Sequence, residues 1–202
     1  GDLNYANIIC DEIDNIWFID WTHSNYAPLE LDFAKLESLN AHYIQTADNA
    51  YLWEQTKPFF QSRHGITPSD QAQQWIIAHM DELKSRNKTL IQLSDDAVFY
   101  CKTAPLDYDE KAGQLLDQDG SKILQTLLAQ FETLGDWNET AIQDTCKALA
   151  QNNHDGKLGK VAMPLRAALT GTTKSPSVFK AAEILGRSET SARMQAAIDF
   201  SS

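Results

Sequence analysis

From Asp32 to the end of the chain, apolar residues return at spacings of three and four, the period of a helix that buries one face. That single feature confines the fold to packed helices. Leu36, Leu39 and Tyr43 predict an amphipathic helix over residues 32–47. Ile76, Met80 and Leu83 predict another, and Thr67-Pro68-Ser69-Asp70 reads as its start: a cap, a proline at the first helical position and an acid in the first turn. Leu90, Leu93, Ala97 and Cys101 mark a third. Leu124, Leu127, Leu128, Phe131 and Leu134 mark a fourth beginning at Ser121, and Asn138 can cap a fifth that carries Ile142, Cys146 and Leu149. The tail divides into residues 158–170 closed by Gly171, residues 175–185 opened by Ser175-Pro176 and closed by Gly186, and residues 188–200 opened by Ser188.

Residues 1–30 follow another period. Asn7-Ile8-Ile9-Cys10, the turn-rich Asp11-Glu12-Ile13-Asp14-Asn15 and then Ile16-Trp17-Phe18-Ile19-Asp20-Trp21 predict a β-hairpin. Polar loops near residues 103–107 and 151–156 are the natural breaks. The first of them sets the expected organisation: a hairpin segment over 1–30, one helical domain over 31–105 and a second over 106–202. With 202 residues, 43% of them apolar, the chain can bury a core without a disulfide or metal. Cys10, Cys101 and Cys146 are odd in number and far apart, so buried, reduced thiols are expected. Apolar runs are too short for a membrane span, and residues 1–25 lack the pattern of a signal peptide, which makes cytoplasm the expected compartment.

The formal charge is −11, which as a total argues against a polyanionic partner. Its distribution says otherwise. Residues 1–40 carry eight acids and one base and residues 41–150 sixteen acids and nine bases, whereas residues 151–202 carry four acids and seven bases. The basic quarter also holds the best local site for an anion or a nucleobase. Gly171-Thr172-Thr173-Lys174 feeds a helix beginning at Ser175-Pro176, where unpaired N–H groups and the positive end of the helix dipole are expected, with Arg166 on the preceding helix. No catalytic or metal-binding constellation accompanies it: GxSxG, the P-loop and HExxH are missing, and His23, His42, His64, His79 and His154 lack partners at telling spacings. Neither catalytic residues, metal ligands nor a cofactor are expected.

Several strings go further than spacing. They are Leu31-Asp32-Phe33-Ala34-Lys35-Leu36, Leu83-Lys84-Ser85-Arg86-Asn87-Lys88-Thr89-Leu90 and Tyr108-Asp109-Glu110-Lys111-Ala112. The longest runs from Lys157-Leu158-Gly159-Lys160-Val161-Ala162-Met163-Pro164-Leu165-Arg166 through Ala168-Leu169-Thr170-Gly171 to Ser175-Pro176-Ser177-Val178-Phe179. Residues 31–202 thereby resemble the C-terminal anticodon-binding region of bacterial-type glutamyl-tRNA synthetases. The resemblance implies a mainly α fold of two consecutive helix-cage domains, and tRNA for glutamate as partner. It also implies roles for particular residues: Arg86 at the third anticodon base, and Arg166 with Ser175, Pro176, Ser177 and Val178 at the first two. Lys174 joins them as a phosphate contact. Arginine suits such work because its planar fork bonds base edges in pairs. Ser177 stands where many members carry glycine. No motif of the synthetase catalytic half is present, so activation of glutamate is not expected of the chain, and a separate catalytic synthetase chain joins the candidate partners.

Asp2, Asn7 and the triplet Ile19-Asp20-Trp21 look similar to the catalytic loop and metal-binding turn of aminoglycoside and choline kinase-like phosphotransferases. Residues 1–30 are too few to hold the nucleotide lobe such an enzyme needs. The segment reads either as a kinase-like fragment joined to the helical region or as a divergent synthetase segment. An exposed hairpin edge invites pairing, so a dimer through residues 1–30 belongs to the expectations. Two alternatives to RNA binding stand: an orphaned helical protein without that function, and a remnant of a phosphotransferase fusion.

Overall fold

The computed structural model describes residues 8–10, 16–18 and 33–200, and among these the chain is mainly α-helical. Two three-residue strands, β1 (Ile8–Cys10) and β2 (Ile16–Phe18), run antiparallel with Ile9 opposite Trp17. Their connection at 11–15 and the link to the helices at 19–32 lie outside the described residues, as do Asp2, Asn7 and Asp20.

The helices are α1 (Phe33–Thr46), α2 (Asn49–His64), α3 (Asp70–Arg86), α4 (Leu90–Ala97), α5 (Glu110–Leu115), α6 (Gln118–Thr133), α7 (Glu139–Asn153), α8 (Leu158–Thr170) and α9 (Val178–Phe200). A 3-10 turn, Val98–Cys101, extends α4, and α9 is broken at Gly186, whose φ of 77° is left-handed. The ends follow local chemistry. Asn138 caps α7 by accepting from the Ala141 N–H at 2.9 Å, and α8 closes at a left-handed Gly171, both as the sequence predicts.

Two starts fall two residues later than expected. The oxygen that caps α3 belongs to Ser69, which accepts from the Ala72 N–H at 3.2 Å, while the Thr67 hydroxyl turns back to Gln61. Likewise Ser177, not Ser175, caps α9, accepting from the Lys180 N–H at 3.2 Å. Among the described side chains of α1, Ile44 is buried, while Tyr43 is exposed. No individual helix is singled out over 49–64 in the sequence, and α2 forms there. Asp48 accepts from two N–H groups at its start, Gly65 closes it, and Pro58 is accommodated inside.

Buried side chains fall into two clusters. One gathers Trp53 and Phe60 of α2, Ile76, Met80 and Leu83 of α3, and Leu93, Phe99 and Tyr100. The other gathers Leu124, Leu127 and Phe131 of α6 with Ile142, Leu149, Val161, Leu165 and Met194. The first half of α9 serves both, because Val178, Phe179 and Ala182 belong to the second cluster while Ala181 and Leu185, on a neighbouring stripe, belong to the first. Its N-terminus therefore opens at the seam between them.

A second seam contact is made by Arg193, which is fully buried. Its guanidinium donates to the carbonyls of Phe99 (3.1 Å), Leu169 (2.7 Å) and Lys102 (2.6 Å), and to the Glu189 carboxylate at 2.7 Å. Gly171 presses on the linker beside it. The Gly171 carbonyl accepts from the Asp109 N–H at 2.9 Å, and a Cβ on this glycine would stand 2.4 Å from the Asp107 oxygen.

Candidate nucleic-acid interface

The site at the start of α9 is assembled from three helices. Arg86 ends α3, Arg166 lies on α8, and residues 175–177 pass between them. Ser175 is held from both sides: Arg86 Nη1 donates to its carbonyl at 2.9 Å, and Arg166 Nε donates to its hydroxyl at 3.1 Å. Two guanidinium groups distant in sequence thus meet on one buried serine. Arg86 is 43% exposed, and among the described residues its Nε and Nη2, like Nη2 of Arg166, have no hydrogen-bond partner. Burial lowers the Arg166 pKa, the charge of Arg86 lowers it further, and Glu82 opposes both.

Glu82, one turn before Arg86, sits among these groups. Its Oε1 accepts from the Ser177 N–H at 2.6 Å and lies 3.8 Å from Arg86 Nη1, while its Oε2 meets His79 Nε2 at 2.8 Å. Burial would raise the Glu82 pKa, but the bonds from Ser177 and His79 and the charge of Arg86 hold it below the ordinary carboxylate value. His79 is itself buried and bonds the Tyr100 hydroxyl through Nδ1 at 2.7 Å. Glu139 of α7 completes the ring, accepting from the Ser177 hydroxyl at 2.9 Å.

The structure brings Arg86, Arg166 and Ser175 together, while parts of the expected chemistry of this segment differ. The Ser177 N–H at the start of α9, expected to be open to an anion, is bonded to the protein's own carboxylate; acids at a helix N-terminus are favoured by the same dipole that would attract a phosphate. Val178, expected at a base, is fully buried in the second core, and Ser175 and Pro176 are buried too. Ser177 is half-buried. Lys174 is exposed, and its ammonium has no partner among the described residues. Glu82 and Glu139 were missed. For Glu82 a signal existed, since His79, Glu82 and Arg86 lie at helical spacings of three and four.

Burial pushes the thiols of Cys101 and Cys146 up to about 12, far from the thiolate a reactive cysteine needs. No cluster of metal-ligating side chains occurs among the described residues, and none of their helices is long and apolar enough to cross a membrane.

Comparison with known proteins fits this arrangement. The family described as anticodon binding domain matches residues 51–198. A glutamate–tRNA ligase of Rhodospirillum centenum is 44% identical over 170 residues, covering 83% of this chain and 36% of the ligase. One from Parvibaculum lavamentivorans is 40% identical over 169 residues, covering 84% of this chain and 34% of that protein. Among solved structures, the glutamate–tRNA ligase of Elizabethkingia meningosepticum superposes with a TM-score of 0.65 at 26% identity, over 82% of this chain and 32% of its own. The chain spans about a third of the length of the relatives it matches. The stretch shared with them includes the residues that the anticodon binding domain family matches. The chain belongs to the anticodon-binding-domain family, and its relatives are glutamate–tRNA ligases.

Proposed function

We propose that this chain binds tRNA for glutamate through the anticodon loop, with the face formed by Arg86, Arg166, Lys174 and Ser177 as the contact. The observation that carries the reading is the meeting of Arg86 and Arg166 on Ser175, with donors left over on both guanidiniums. Spare, half-buried guanidinium donors suit bidentate bonds to the edges of unstacked bases. Ser175 and Pro176 shape the loop from beneath, and Val178 anchors it in the core. Lys174, which is exposed, suits a phosphate. The chain is divided for this work into two helical domains with their boundary near residue 105, and it works in the cytoplasm beside a catalytic synthetase part.

Competition among anticodon stem-loops that differ at single bases tests the reading. The cognate stem-loop should bind best, weakly and with a steep salt dependence, because the acceptor-stem phosphates are not engaged. Equal binding of all stem-loops would remove the claim.

A further inference from the structure

The anticodon face carries an acid where a polyanion is to bind, and that is its least expected feature. Glu82 lies 3.8 Å from Arg86 and accepts the Ser177 N–H at 2.6 Å, so it holds the side chain of one recognition residue and the backbone of another. Around it stand His79 on its own helix, Arg86 at the end of that helix, and Glu139 and Lys180 from the elements that pack against it, with Lys180 tied to Glu183 at 2.5 Å. A carboxylate in this position repels phosphate oxygens, yet it leaves the spare arginine donors able to bond a neutral base edge.

We propose that Glu82 is a specificity-determining residue of this face, which fixes Arg86 and Ser177 in place and by its negative charge bars phosphates from the arginine pair, so that bases are preferred. The proposal rests on the anticodon-binding reading for its biological setting. Its electrostatic part does not. A face with two arginines and no acid would bind any RNA backbone, and its affinity would be dominated by counterion release. With the acid in place, backbone binding is weakened while base-edge bonds, which involve no net charge on the partner, are kept.

The test measures binding by fluorescence anisotropy over a series of salt concentrations, using the cognate anticodon stem-loop, single-base variants of it and a twelve-nucleotide adenine homopolymer. The chain is compared with its Glu82→Gln and Glu82→Asp variants. Glu82→Gln should bind the homopolymer roughly three- to tenfold more tightly at about 50 mM salt, with a log–log salt slope steeper by about 0.7–0.9, the mark of one further phosphate contact. Its ratio of cognate to variant affinity should fall. Glu82→Asp, which keeps the charge but is too short for the Ser177 contact, should leave homopolymer binding weak while losing discrimination.

A purely structural Glu82 would lower the melting temperature of both variants and weaken all RNAs in parallel at an unchanged slope; that result overturns the proposal. So does a Glu82→Gln protein with wild-type slope and discrimination. Should the wild-type chain fail to distinguish stem-loops while Glu82→Gln still gains homopolymer binding, the anticodon reading falls and the charge-barring role stands. Should Glu82→Gln fail to fold, Glu82→Asp decides: strong homopolymer binding by that variant contradicts the role of the charge.

Discussion

Two arginine assemblies cross the seam of this molecule, and they are built for different ends. Arg193 is fully buried, and three of its nitrogens are used on three main-chain carbonyls and the Glu189 carboxylate. Arg86 and Arg166 also join distant segments, but Arg86 is exposed, Arg166 is half-buried, and they share one serine. A buried guanidinium with all three nitrogens bonded inside the protein can only hold the protein together; an accessible one with nitrogens left unbonded can bind something else. Position in the fold, not residue type, separates the joint from the recognition face.

The largest expected effect breaks the joint. Arg193→Ala removes the one guanidinium shared by the Phe99, Leu169 and Lys102 carbonyls and the Glu189 carboxylate, and should cost about 3–5 kcal/mol, read by urea unfolding. Arg193→Lys should recover only part of that, because one ammonium cannot span the Phe99, Leu169 and Lys102 carbonyls as the fork does. If Arg193→Ala were neutral, the contrast with Arg86 and Arg166 would lose its structural half.

Gly171→Ala should act at the same joint with a somewhat smaller loss, about 1–3 kcal/mol by the same measurement. Its φ of 75° disfavours any side chain, and the new Cβ would meet the Asp107 oxygen at 2.4 Å. Because Gly171 also leads into the loop of Lys174 and Ser175, this variant sharpens the comparison by showing whether a disturbed joint is felt in RNA affinity.

A smaller effect belongs to the recognition side. Burial lowers the pKa of His79 from its ordinary 6.5, against the opposing bond to Glu82. As pH falls below 6.5 the unfolded chain takes up this proton before the folded one does, so stability should decline from that point downward. Glu82, whose pKa is lowered from 4.5, adds its own loss as pH falls further, toward its folded value. Thermal melts at a series of pH values check this, and His79→Gln should flatten the first part of the decline. An unchanged profile would remove His79 from the support of the face.

What could be read from the sequence divides along the same line. Elements set by local chemistry were legible: Asn138 as the cap of α7, and α8 closing at Gly171, need only the residues within one turn. α2 was not, because its buried Leu52, Trp53, Thr56 and Phe60 include a polar residue and its interior holds Pro58; its stability comes from packing on α3 and α4. α5, six residues long, is too short to show a period. In the site, Arg86, Arg166 and Ser175 could be proposed from strings; for Glu82 only its helical spacing from His79 and Arg86 was legible, not its contact with Ser177, which lies 95 positions away. Val178 is expected at a base only from the resemblance, which matches strings and not the side of α9 that turns inward, and it lies in the core.

The most direct test of the account reads recognition and stability on the same proteins. Arg86→Ala and Arg166→Ala should each lose about 1–3 kcal/mol of anticodon stem-loop binding, with discrimination weakened at one base position, while their unfolding free energies stay close to wild type. Lys174→Ala should weaken all stem-loops alike. A fall in the melting temperature of Arg166→Ala with an unchanged ratio of cognate to variant binding would contradict the account, because it would make Arg166 a second joint like Arg193.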